Sequence, residues 1–278
     1  MSSSNHQLID PAQRPAVVLL HSSASSARQW GSLIEALQPR FRVSAVDFHG
    51  HGQRTAWQGE APLTLADEAA LVEPLLAEAG GAHVVGHSYG AAVALKLATM
   101  HRNSVRSLVA YEPVLFRWLI DDDAGHRPAE DVVAVADWIR NRLARGQEHS
   151  AAQRFIDFWS GVGSWQSLPG HRRNSVATRM RAVLQHFEAL FREPLQRTQL
   201  ARLGMPMLFM TGEHTVAVTR RLAELLRLVL PHAHHEVLQA MGHMGPITHA
   251  AEVNRSIVGF LNAHALSGSA LEPMGELA

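Results

Sequence analysis

Cysteine is absent from all 278 residues. That excludes disulfides, thiolate metal sites and a cysteine nucleophile at once. Net charge is absent too, because 25 Lys plus Arg balance 25 Asp plus Glu. A neutral chain has no bulk electrostatic pull toward nucleic acid or an anionic membrane, so neither is expected as a partner. No apolar run approaches the ~20 residues of a membrane span. Met1 to Pro15 lack the basic start and apolar stretch of a signal peptide, so a cytoplasmic location is expected. What is present is ordinary globular composition, 46% apolar and 18% charged, in a chain long enough to bury a large core. A homo-oligomer stays open.

From Ala16 to Ala110, short β-branched runs alternate with amphipathic stretches. Strands are expected at Ala16 to Leu20, Phe41 to Val46, His83 to Val85 and Ser107 to Ala110. Helices are expected at Ala27 to Leu37, Leu65 to Ala79 and Gly90 to Met100. The rhythm resumes after Pro206 with strands at Met207 to Thr211 and His235 to Leu238, and helices at Thr219 to Val229 and Ala250 to Ala263. Such alternation predicts an α/β fold with a mostly parallel sheet and helices on both faces. Residues 113–204 break it with helical patterns alone, around Val132 to Ala144, Ala151 to Trp159 and Ser175 to Phe191. They read as a helical insertion over a core made of 1–112 and 205–278. This insertion holds four of the six Trp and five of the nine Phe. Most should form its own core. Trp159 and Trp165 are expected to reach the cleft beneath, since ligand pockets are lined mainly by apolar and aromatic groups. The tail Leu266 to Ala278, punctuated by Gly, Ser and Pro, is expected to be poorly ordered.

Chemistry concentrates at Gly86-His87-Ser88-Tyr89-Gly90, which sits between an expected strand and an expected helix. In that context G-x-S-x-G forms a sharp turn that lifts the serine hydroxyl out at the sheet's end. The helix that follows aims its N-terminal N–H groups at the reacting centre. A serine hydroxyl needs a base to take its proton. His243, in the loop Met241-Gly242-His243-Met244-Gly245-Pro246 after a late strand, is the candidate. His249 reads as a capping or surface residue, and the remaining histidines, including His232, His234 and His235, as solvated. His49 and His51 are only superficially a metal pair, so neither metal nor other cofactor is expected.

The chain resembles the serine α/β-hydrolases of the esterase and C–C hydrolase kind, from about Val17 to Leu261. Four motifs carry the resemblance: Leu20-His21-Ser22-Ser23, Asp47-Phe48-His49-Gly50-His51-Gly52, the G-x-S-x-G turn, and Gly242-His243. It implies that the amides of Ser23 and Tyr89 form an oxyanion hole, with the Ser23 hydroxyl a candidate substrate contact. It also implies that Asp47 belongs to a structural turn. Three departures stand out. Ser22 replaces the family's usual Gly, and the N-terminal segment is short for the hairpin that commonly opens the sheet. The loop Gly212-Glu213-His214-Thr215 places Thr215 where the family usually has its acid. A threonine cannot carry the charge that orients and stabilises an imidazolium. Glu112 is expected to replace it, at the carboxyl end of the strand beside the one bearing Ser88. A branch of the haloalkane dehalogenases draws its acid from the corresponding strand. Glu213 is the rival.

The resemblance implies a cofactor-independent hydrolase acting on an ester, thioester, lactone or C–C bond of a small, fairly apolar molecule. A serine at the turn argues against haloalkane dehalogenase and epoxide hydrolase chemistry, whose enzymes place Asp there. A receptor built on the same fold, with slow turnover, is the alternative, because fold alone does not separate the two. A non-catalytic scaffold is disfavoured with both Ser88 and His243 intact.

Overall fold

The computed structural model describes residues 13–122 and 126–265, so the tail Leu266 to Ala278 lies outside the described residues. Six strands form one sheet: β1 (Ala16–Leu20), β2 (Arg42–Val46), β3 (Ala82–His87), β4 (Val105–Tyr111), β5 (Met207–Gly212) and β6 (His234–Leu238). Their order is β2-β1-β3-β4-β5-β6, and every neighbouring pair is parallel. A parallel sheet is covered on both faces, which is why β1 and β3 are buried along their whole length. Alternate residues divide between two cores. Val17, Leu19, Val85 and Val109 face one, while Val18, Leu20, Val84 and Leu108 face the other. Among the described residues β1 is the first strand, so no opening hairpin precedes it, and β2 is left at one edge.

Four helices lie among the first strands: α1 (Gly31–Leu37), α2 (Leu65–Ala70), α3 (Glu73–Ala79) and α4 (Tyr89–Met100). The single helix expected over Leu65 to Ala79 is two. Pro74 stands in the first turn of α3, where its missing N–H is harmless, but it cannot continue the hydrogen bonding of α2. Between β4 and β5 the described residues form helices only: α5 (Phe116–Ile120), α6 (His126–Leu143), α7 (Glu148–Ser160), α8 (Ser164–Ser167), α9 (Gly170–Ala177), α10 (Met180–Arg192) and α11 (Arg197–Leu200). The expected Ser175 to Phe191 helix also divides, because the Arg179 N–H bonds back three residues to Val176 and tightens the turn. The chain closes with α12 (Ala217–Val229), α13 (Gly245–Thr248) and α14 (Ala250–His264). Helices α1 and α14 pack on one face of the sheet, and α2 and α4 on the other.

Strand order reverses at β1, which has β2 on one side and β3 on the other. Loops leaving β1 and β3 therefore part at the carboxyl edge and open a crevice, the usual ligand position in such sheets.

Candidate active site

Ser88 joins β3 to α4 with a left-handed backbone, φ 56°. Neighbours must be small for this turn to close. A Cβ on Gly86 would lie 2.5 Å from the Gly90 carbonyl oxygen, and one on Gly90 would run into the Leu20 and His21 carbonyls. The turn thus packs directly against the end of β1, bringing the loop of Ser22 and Ser23 beside Ser88.

His243 Nε2 lies 2.9 Å from Ser88 Oγ, and its Nδ1 lies 2.6 Å from Glu112 Oε2. All three side chains are buried. Since a carboxylate only accepts, Nδ1 carries the hydrogen and Nε2 is free to accept from the serine. Glu112 follows β4 with φ 45°, a second non-glycine residue in the left-handed region. Such strained positions cluster at functional sites. Its Oε1 accepts the Gly212 N–H at 2.8 Å, and its Oε2 also accepts the Thr215 hydroxyl at 2.7 Å. Thr215 thus reaches the carboxylate that occupies its expected role. Glu213, the rival, is more exposed and accepts the Ala240 N–H instead.

Sequence reasoning missed how the His243 loop is held. His87 donates from Nε2 to the His243 carbonyl at 2.8 Å, and Tyr111 donates to the Gly242 carbonyl at 2.7 Å. Burial, aided by nearby His243, holds the His87 pKa well below its usual value. The neutral ring accepts at Nδ1 from Gln29, whose amide oxygen accepts from both the Ser22 N–H and hydroxyl. The Ser22 hydroxyl thus adds a contact that glycine would lack. The expectation of solvated histidines fits exposed His232 and His234, but His21, His51, His83, His87 and His186 are all buried. Periodicity does not reveal this, because the partners these rings do have are backbone groups or side chains distant in sequence. Both ring nitrogens of His51 are engaged, with the His49 carbonyl and the Ala24 N–H. The Asp47 carboxylate accepts the Ala27 and Gln53 N–H groups, as a turn residue does.

Tyr89 opens α4, so its N–H has no carbonyl acceptor within that helix. The amides on either side of Ser23 are taken, by Gln29 and by His51. A cavity of about 1260 Å³ spreads over Ser23, Ser88 and His243, and residues from the β4–β5 helices (Phe116, Phe155, Trp159 and Phe187) line it. The Trp159 ring lies 4.3 Å from that of His243, centroid to centroid. Trp165 does not line the cavity. It is buried inside the helical layer, its backbone N–H held by Asp157, so its expected substrate contact is corrected. No described helix is long and apolar enough to cross a membrane.

A model of the alpha/beta hydrolase family matches residues 17–256. The chain is 29% identical to a pimeloyl-acyl-carrier protein methyl ester esterase of Serratia marcescens, covering 89% of this chain and 94% of that one. Among solved structures it is similar to the enol-lactonase of Burkholderia xenovorans LB400 (TM-score 0.72, 22% identity, 90% and 92% covered). It is likewise similar to MenH of S. aureus (TM-score 0.74, 18% identity, 90% and 94% covered). Sheet order, the strained serine turn and the match over most of the chain agree: the chain belongs to the alpha/beta hydrolase family of enzymes.

Proposed function

We propose that the chain is a serine esterase that cleaves carboxylic esters of small, fairly apolar acids through an acyl-enzyme, without a cofactor. The observation that carries this reading is the unbroken hydrogen-bonded line from Ser88 through His243 to Glu112. His243 Nε2 removes the Ser88 proton as Oγ attacks the ester carbon, and Glu112 stabilises the imidazolium that results. The Ser23 and Tyr89 amides hold the oxyanion, with the N-terminus of α4 favouring its charge. His243 then returns the proton to the departing alkoxide, and water repeats the sequence on the acyl-enzyme. Residues 113–204 act as a cap whose aromatic side chains receive the acyl chain, over a core of 1–112 and 205–278. The Serratia relative, named for a methyl ester, makes acyl methyl esters the first substrates to try.

The test is a screen of methyl and p-nitrophenyl esters of increasing acyl length, with thioesters and lactones alongside. Repeated turnover is expected, lost in Ser88→Ala, with a serine-directed fluorophosphonate labelling Ser88 alone. Near-wild-type activity in Ser88→Ala overturns the mechanism. A single turnover followed by a lasting change of shape supports the receptor instead.

A further inference from the structure

A buried polar line beneath Ser23 takes no part in the mechanism above. Ser23 is half-buried and lines the same cavity as Ser88 and His243. Its Oγ lies 2.8 Å from Nδ1 of His186, which comes from α10. The opposite ring nitrogen, Nε2, faces Oε1 of Glu68 on α2 at 3.6 Å. His186 and Glu68 are fully buried, and neither of these facing atoms has a hydrogen-bond partner among the described residues. Tyr89 stacks on the His186 ring at 3.6 Å and 4°, and His51 at 4.6 Å and 16°. Flanked by two stacked rings, the imidazole cannot readily swing. What can move is a proton.

Hydroxyl, imidazole and carboxylate repeat the order at Ser88, but burial changes the chemistry. His186 is pushed down to about 3, so it cannot keep a proton taken from Ser23 near neutral pH. A neutral imidazole carries one N–H. Placed on Nε2, that hydrogen points at Glu68, and Nδ1 accepts the Ser23 hydroxyl, turning it away from the cavity. Placed on Nδ1, it donates to Ser23 Oγ and leaves the serine hydrogen free to donate into the cavity. Glu68 decides between them. Across the 3.6 Å gap its carboxylate attracts an Nε2–H, whereas its carboxylic acid turns its own hydrogen toward a bare Nε2.

We propose that Glu68 and His186 form a proton relay that sets whether the Ser23 hydroxyl donates to the substrate oxygen held at Ser88. The proposal rests on the reading of Ser88 as nucleophile, and it makes Glu68 and His186 positioning residues. Burial pushes Glu68 up to about 7. His49 and Arg54, from the loop after β2, oppose that rise, and Asp67 on α2 itself adds to it. The His49 N–H donates to the other Glu68 oxygen at 3.3 Å. From α4 the group is faced by the Tyr89 phenol, which burial and Glu68 keep protonated, and from α10 by neutral His186. His51, on the far side of the ring, is also held neutral by burial. Below about pH 7 Ser23 therefore donates into the cavity, and above it the hydroxyl turns to His186.

Two measurements test the relay. Nitrogen NMR of histidine-labelled Ser88→Ala protein reads the His186 tautomer directly and needs no activity. The expected result is a switch from Nδ1–H to Nε2–H with a midpoint near 7, abolished in Glu68→Gln, whose amide donates permanently to Nε2. Profiles of kcat/KM against pH then compare wild type with variants. Relative to Glu68→Gln, wild type should lose about tenfold as pH rises through 7, the scale of one charge-assisted hydrogen bond. Ser23→Ala should be low throughout with that step gone, and Ser23→Thr, which keeps a hydroxyl, should restore it. One unchanging His186 tautomer in wild-type side chains around Ser23 overturns the relay even if Glu68→Gln fails to fold. So do superimposable wild-type and Glu68→Gln profiles. Turnover that survives loss of Ser88 sinks the underlying mechanism instead, and the two failures are distinct.

Discussion

Replacing Glu112 by Gln changes one atom of the side chain and should stop catalysis. Its carboxylate accepts three hydrogen bonds: Oε1 from the Gly212 N–H at 2.8 Å, Oε2 from the Thr215 hydroxyl at 2.7 Å and from His243 Nδ1 at 2.6 Å. An amide offers only one acceptor oxygen. With that oxygen on Gly212, the new NH2 meets His243 Nδ1 and forces the imidazole hydrogen onto Nε2, where it points at Ser88 and removes the base. With the amide flipped, two N–H groups oppose each other at Gly212, in a buried site where an unmatched donor costs about 1–3 kcal/mol. The first arrangement is the cheaper, because an imidazole tautomer shifts more readily than a backbone. Wrong-tautomer variants of other triads lose about 10⁴ in kcat, equivalent to ~5.5 kcal/mol of barrier. The assay is steady-state hydrolysis of a p-nitrophenyl ester by Glu112→Gln, with Glu213→Gln as control and thermal unfolding to show that the fold persists. Glu213→Gln should stay within a few-fold of wild type, since its carboxylate serves Ala240. A folded Glu112→Gln enzyme within tenfold of wild type would refute the reasoning, as would a steep loss in Glu213→Gln.

Three further outcomes follow from the same geometry. Thr215→Asp in the Glu112→Gln background should recover at least about tenfold of the lost kcat, since Thr215 Oγ1 already lies 2.7 Å from the Glu112 oxygen that holds His243. No recovery would mean that the loop after β5 does not aim at Nδ1. Trp159→Ala should alter the ratio of kcat/KM between long and short acyl esters, at about 1–3 kcal/mol per methylene, while Trp165→Ala should leave that ratio alone and lower stability by about 3–5 kcal/mol. Parallel behaviour of the two variants would contradict their different placements. Folding raises the Glu68 pKa from 4.5 to about 7, so below 4.5 both folded and unfolded chains hold the proton and nothing is lost. As pH climbs from 4.5 to 7 only the unfolded chain releases it, and the folded state loses about 3 kcal/mol that stays lost above 7. Urea denaturation should therefore show the advantage of Glu68→Gln over wild type growing across that window and then levelling off. An advantage independent of pH would show that Glu68 does not titrate with folding.

The alternation of strand and helix was legible because a parallel sheet buries both faces, which leaves short apolar runs such as Ala16–Leu20 standing out against amphipathic helices. Ser88 was legible for a steric reason: the strained turn admits only glycine two residues to either side, and that demand is written locally as Gly86 and Gly90. His243 could be singled out by its loop after the last strand. These are properties of neighbouring residues. Which carboxylate meets His243 is not, because Glu112 stands 131 positions away in the chain and reaches Nδ1 only once β4, β5 and β6 lie side by side. The same holds for Trp159 and Trp165, alike in sequence context, of which one faces the cavity and the other the interior of the helical layer. It holds most for the buried histidines. His186 reads as one polar residue on an amphipathic helix, and only the packing of α10 over Tyr89, His51 and Glu68 takes its ring out of water. Local sequence determined the strands, the turn and the nucleophile. Tertiary contact decided the acid, the lining of the cavity and the charge state of the histidines, because desolvation and hydrogen-bond partners exist only when distant segments meet.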